Sequence, residues 1–288
     1  MKKTKAKKQV NTKPTSPLSA YDDPEFMHSK DARTVRILAE FMEPGFRLKK
    51  YGVQDTIVFF GSARTINKKE AKANLNKLLK QKATPKKISA AKASLIMADY
   101  YEDAVKLSKR ISLWAKEQKI PLAICSGGGP GMMEAANKGA KLAKAASIGL
   151  NINLPFEQSP NKYISDHLNF EFHYFFLRKY WFLYHAKALI VFPGGFGTLD
   201  ELMEVLTLIQ TEKVKKDMTI LLYGKEFWTK AINFEYLAEM GMIGKEDLKL
   251  FKITDSVDEA FLTVTSKLEK MLYRKNKSRK ELPPSMLL

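Results

Sequence analysis

With 288 residues, 45% hydrophobic and 28% charged, the chain can bury a full core and has the composition of a globular protein. No apolar run approaches the ~20 residues of a membrane span, and no hydrophobic segment follows the Lys-rich start, so neither a span nor a secretory signal is expected. A single cysteine, Cys125, excludes an intramolecular disulfide and fits a reducing, cytoplasmic setting.

The formal net charge of +18 is unevenly placed: residues 1–20 carry +6, residues 68–92 carry +8 and residues 270–288 carry +5, which leaves −1 for the rest. Such segments are expected to be solvated, with at most a weak, salt-sensitive attraction to RNA or anionic surfaces. No nucleic-acid-binding motif accompanies them, so no specific nucleic-acid partner is expected.

Residues 1–20 read as a disordered basic tail and residues 21–50 as a helical arm. In that arm Val35, Leu38, Ala39 and Met42 recur at helical spacing, and Glu43-Pro-Gly45 should end the helix; its apolar face should pack on the core or on a second subunit. Asp55–Phe60 reads as the first strand, with Gly61-Ser-Ala-Arg64 as its turn. Residues 68–92, with Pro85 in the middle, predict an inserted helical hairpin, and Ala98–Gln118 a separate helix.

Leu122–Cys125 is the next strand, followed by the glycine turn Ser126–Gly131 and a helix over Met132–Ala145. Strands are expected at Ser147–Asn153 and Leu168–Phe172, and a helix at Phe175–Ala186. Ala188–Phe192 leads into Pro-Gly-Gly-Phe-Gly-Thr-Leu-Asp-Glu, residues 193–201, where Thr198 should N-cap the helix and Glu201 should lie in its first turn. Met218–Tyr223 is a further strand, with helices around Phe227–Ala238 and Val257–Leu272 and a basic tail over 273–288. The alternation predicts one α/β domain over 51–272, Rossmann-like and doubly wound, with a mostly parallel sheet and helices on both faces.

In such a sheet all three glycine turns lie at the carboxyl ends of the strands, where ligands bind. Glycines before a helix expose backbone N–H groups to a phosphate, and the helix dipole favours its charge. None of the turns holds the Gly-Lys-Ser/Thr of a P-loop, and the regular dinucleotide spacing is missing. The four histidines, His28, His167, His173 and His185, lack metal-ligand spacing. Neither a metal nor an organic cofactor is expected.

Arg178 and Lys179 interrupt an aromatic run, Phe172–Phe182, and Arg178 lies 23 positions before Glu201. An Arg-Lys pair followed by Pro-Gly-Gly-x-Gly-Thr-x-x-Glu resembles the "Lonely Guy" family of phosphoribohydrolases, whose older label is lysine decarboxylase-like. Phe60-Gly-Ser-Ala-Arg64, Gly127-Gly-Gly-Pro-Gly-Met-Met-Glu134 and Leu206–Thr211 resemble its longer, bacterial-type members, and the likeness spans about Val53 to Asp255 without the insertion.

The resemblance implies hydrolysis of a nucleoside 5′-monophosphate, AMP or a cytokinin riboside monophosphate, to free base and ribose 5-phosphate by a homodimer. Glu201 and Arg178 would be catalytic, with the Arg178 charge keeping Glu201 ionised. Gly194, Gly195, Gly197 and Thr198 would hold the phosphate. Gly61, Ser62, Gly128 and Gly129 would hold the ribose and base, with Glu134 and Lys179 as further contacts. Pyridoxal-phosphate chemistry would need a Schiff-base lysine, and no motif singles one out. The rival readings are a non-catalytic nucleotide or molybdenum-cofactor carrier on the same fold, and a protein acting on RNA or membranes through its basic tails.

Overall fold

The computed structural model describes residues 17–155 and 159–281, with side chains up to residue 271. In chain order the elements are α1 (Pro24–His28), α2 (Arg33–Lys50), β1 (Asp55–Phe60), α3 (Lys68–Lys80), α4 (Pro85–Glu117), β2 (Leu122–Ser126), α5 (Met132–Leu142), β3 (Ser147–Ile152), β4 (Asn169–Phe172), α6 (Phe175–Tyr184), β5 (Ala186–Val191), α7 (Phe196–Gln210), β6 (Thr219–Tyr223), α8 (Lys225–Ala231), α9 (Phe234–Glu239), β7 (Lys252–Thr254) and α10 (Val257–Glu281). The tail expected at 1–20 lies outside the described residues except for 17–20, as does the C-terminal tail beyond 281.

All the strands run parallel in one sheet ordered β4-β3-β2-β1-β5-β6-β7. The chain winds outward from β1 to β4, then returns to the other side of β1 for β5 to β7. Alternate residues of the central strands feed two cores. Val58, Phe60, Leu189 and Val191 face one layer with Trp181, Phe182, Leu202 and Trp228. Ile57, Phe59, Ala188 and Ile190 face the other with Leu107, Ile111, Met132 and Val264. Burial on both faces explains the near-continuous apolar runs of these strands.

Four local expectations are corrected. The helix of the arm runs through Pro44-Gly45 to Lys50 instead of stopping there. A Cβ on Gly45 would stand 2.8 Å from the Trp181 ring, so this glycine allows α2 to approach α6 and is not a terminator. Of the two packings expected for Val35, Leu38, Ala39 and Met42, the one on the core is absent, since all four are solvent-exposed and Ile37 and Leu48 make the inward contacts; a second subunit is left as the alternative. The second arm of the hairpin and the helix expected at 98–118 are one helix of 33 residues, with Pro85 at its first turn where a missing N–H costs nothing. The last helix continues past Leu272 to Glu281. The three-residue β7 is too short to show a periodicity, and the sequence reading has no counterpart for it.

Candidate active site

The β1/β5 pair is the place where the winding direction reverses, and their carboxyl ends open a crevice between diverging connections. A cleft of ≈ 610 Å³ lies there, lined among others by Gly61, Ser62, Arg64, Gly129, Asn151, Phe175, Arg178, Phe182, Gly195, Phe196, Gly197, Thr198 and Glu201.

The loop after β1 ties the three glycine turns together. Ser62 N donates to the Pro193 carbonyl at 3.0 Å, and the Ser62 carbonyl accepts from Met132 N at 3.0 Å. Gly131, at φ +72°, caps α5 against this loop, where a Cβ would lie 2.3 Å from the Ser62 carbonyl oxygen. A buried polar network fixes the middle turn. Ser126 Oγ donates to Asn137 Oδ1 at 2.6 Å and accepts from Gly128 N at 3.1 Å. The Asn161 amide donates to the carbonyls of Gly128 and Gly129 at 3.0 Å each.

Helix α7 begins at Phe196 with Gly195 as its cap, so Thr198 is not the N-cap. Thr198 is buried at the third helical position, and its side chain folds over Gly194, where a Cβ would stand 2.1 Å from Thr198 Oγ1. The Phe196 and Gly197 amides, at the first two positions of α7, have no intrahelical carbonyl to bond and head the cleft.

Glu201 consequently lies in the second turn of α7, past the reach of a simple dipole complement. Only 4% exposed, it faces Arg178 of α6 with Arg178 Nη2 3.6 Å from Glu201 Oε1. The Arg178 guanidinium lies between the rings of Phe175 and Phe182, 5.1 and 5.5 Å from their centroids. Arg178 Nε and Glu201 Oε1 are buried without a hydrogen-bond partner.

Burial pushes Glu201 up to about 7, against the opposing pull of Arg178 and Lys179. Burial also lowers Arg178, although Glu201 favours its charge. Desolvation thus outweighs attraction in both partners. The expectation that Arg178 simply keeps Glu201 ionised is corrected: near neutrality the carboxyl is poised between its two forms.

Gly61, Ser62, Gly129, Gly195, Gly197, Thr198, Arg178 and Glu201 are therefore brought to one cleft. Gly128 and Gly194 support its walls from behind; a Cβ on Gly128 would meet Asn151 Oδ1 at 2.2 Å. Glu134 lies in the first turn of α5 and accepts from Tyr101 Oη at 2.9 Å, off the cleft lining. Lys179 turns away to Asp200 at 2.8 Å and Glu204 at 2.7 Å, beside a recess of only ≈ 10 Å³.

In the sequence Arg64 stands out only as the last residue of a turn and of a family-like segment. It is an exposed cation on the cleft rim with no ion pair among the described residues. Phe196, 93% exposed, stands at the mouth, and Asn151 closes the wall at the end of β3. Cys125 is buried in the core and its thiol is pushed up by burial, which leaves it inert.

Fold and site together define a Rossmann-like α/β protein with a cleft at the switch point of its sheet, headed by the N-terminus of α7. Residues 133–264 match the family model described as "Possible lysine decarboxylase", the older label of the phosphoribohydrolases that Arg178-Lys179 and residues 193–201 resemble. Among solved structures the chain is similar to the molybdenum cofactor binding protein of the phototrophic bacterium Rippkaea orientalis, at 16% identity over 75% of this chain and 98% of that one (TM-score 0.46). It is also similar to a Moco carrier protein from Chlamydomonas reinhardtii, at 18% identity over 75% and 99% (TM-score 0.43), and to the structure titled TM1055, at 16% over 74% and 99% (TM-score 0.46). No curated protein matches the chain.

The decarboxylase label does not fit the cleft. A pyridoxal-phosphate enzyme requires a lysine amine free to form a Schiff base, and among the described residues no lysine lines the cleft, while Lys179 is held by two carboxylates.

Proposed function

We propose that this protein hydrolyses the N-glycosidic bond of a nucleoside 5′-monophosphate, AMP or a cytokinin riboside monophosphate, to the free base and ribose 5-phosphate. The observation that carries the reading is the buried carboxyl of Glu201, beside Arg178 and in the same cleft as the N-terminus of α7. The family match over residues 133–264 supports a nucleotide-processing role.

The 5′-phosphate docks on the Phe196 and Gly197 amides. Arg178 is committed to Glu201 and the two phenylalanine rings, so Arg64 is the cation free to meet the phosphate. Phe175, Phe196 and Met133 offer apolar surface to a planar base. As the bond breaks, C1′ gains positive charge, which the Glu201 carboxylate stabilises while it takes a proton from the attacking water. Water supplies the hydroxyl on C1′, and the proton gained by the departing base nitrogen balances the one Glu201 takes from that water, which returns the carboxylate to its starting form. A non-catalytic carrier would have no use for a carboxyl held near neutrality against an arginine.

A homodimer is part of the proposal. Val35, Leu38, Phe41, Met42 and Phe46 form an exposed apolar stripe along α2, close to exposed Tyr180 and Tyr184 of α6. Incubation of the purified protein with AMP and with a cytokinin riboside monophosphate, followed by chromatography for free base, tests the activity; no release from either overturns it.

A further inference from the structure

The lysine-rich insertion stands over the same edge of the sheet as the cleft. Helix α4 returns the chain toward the start of β2, so its C-terminal end lies at the amino edge. Its level at the carboxyl edge is marked by two contacts. Tyr101 Oη donates to Glu134 in the first turn of α5, and Tyr223 Oη, at the end of β6, donates to Asp103 Oδ2 at 3.0 Å. Residues 85–97 of α4 therefore rise beyond the edge, by about 20 Å at the helical rise of 1.5 Å per residue. Helix α3 packs alongside as the other arm, and within residues 68–92 only Ala71 and Ala91 are buried.

This paddle carries Lys68, Lys69, Lys72, Lys77, Lys80, Lys82, Lys86, Lys87 and Lys92, all exposed, against Glu70 alone. Among the described residues only Lys68 is in an ion pair, with Asp99 at 2.5 Å. On α3 the lysines occupy one half of the cylinder, while Ala71, Leu75 and Leu78 occupy the half toward α4.

We infer that the paddle is a docking surface for the phosphate backbone of double-stranded nucleic acid, bound without regard to sequence. A one-sided array of unpaired lysines on a rigid rod suits closely spaced phosphates. The paddle has no aromatic residue, so it offers no stacking platform for unpaired bases and no anchor of the kind protein interfaces use. Its scattered exposed apolar side chains, Leu79 and Ile96, do not form the apolar face a membrane-surface helix requires.

The test is fluorescence anisotropy of the full chain with a blunt duplex of ~20 base pairs across a salt series. Contact with about five phosphates gives a slope of log K against log salt near −4 to −5. A variant with Lys69, Lys72, Lys77 and Lys80 all changed to Gln should lose tenfold or more in affinity at 100 mM salt, and about three units of slope, with its circular dichroism unchanged. A variant with Lys2, Lys3, Lys5, Lys7, Lys8 and Lys13 changed to Gln should keep most of the affinity. Equal binding by the paddle variant, loss only in the tail variant, tighter binding to single-stranded homopolymer, or paddle-dependent binding to anionic vesicles but not to duplex would each overturn the inference. None of these readouts depends on nucleotide hydrolysis.

Discussion

Arg178 and Glu201 face each other at 3.6 Å, close enough to attract but too far to share a hydrogen bond, and each keeps a buried polar atom without a partner. The pair is held apart by its supports: stacked phenylalanines fix Arg178, and the second turn of α7 fixes Glu201. The geometry of two oppositely charged groups, desolvated and incompletely satisfied, suits a charge that appears only during reaction.

Glu201→Gln should lower base release by about 10²- to 10⁴-fold, the usual contribution of a positioned acid–base group. Nucleotide binding, measured by calorimetry, should change little. Full activity in this variant would remove Glu201 from the mechanism and leave the fold and the family match as they are.

Because burial holds Glu201 at about 7, and the ionised form is the active one, kcat should rise with pH through about 7 to a plateau and fall on the acid side. A profile flat from pH 5 to 8 would contradict this.

Stability should respond in the opposite sense. Between its ordinary value of 4.5 and about 7 the folded protein holds a proton that the unfolded chain has released. The stability linked to protonated Glu201 is therefore complete below the unfolded value and lost as pH rises through the folded one, amounting to about 3 kcal/mol at 1.36 kcal/mol per unit. Glu201→Gln removes the dependence, so its Tm relative to the parent should increase from pH 5 to pH 8.

Arg64→Ala should raise KM for a monophosphate about 10- to 100-fold with kcat retained, as expected for one charge-assisted hydrogen bond. Arg64→Lys should recover part of the loss. An unchanged KM would show that the helix terminus binds the phosphate unaided.

Two glycines of one motif should behave differently. Gly194→Ala drives a methyl into Thr198 and should cost about 1–3 kcal/mol of stability. Gly197 has open space around its Cβ position and no positive φ, so Gly197→Ala should keep or raise Tm while it obstructs the cleft and raises KM.

The α2 stripe is checked by light scattering. Leu38→Glu with Met42→Glu, both at exposed positions, should convert a dimer to monomer without loss of helical signal. A monomeric parent would refute the dimer directly.

Most strand, glycine-turn and helix units were legible in the residues alone, because periodicity, β-branched runs and glycines act over a few residues. The sequence also marked Arg178 and Glu201 through one family's spacing. Where a signal was local but its cause was distant, the reading failed. Gly45 resembled a stop and instead accommodates Trp181, and Thr198 resembled a cap and instead covers Gly194. β1 beside β5 is a matter of long-range packing, and it brings the Arg64 loop to the N-terminal end of α7. Only the packed core could decide the state of Glu201. Attraction to Arg178 can be anticipated from two residue types, but the loss of water around them depends on every element that closes over the pair.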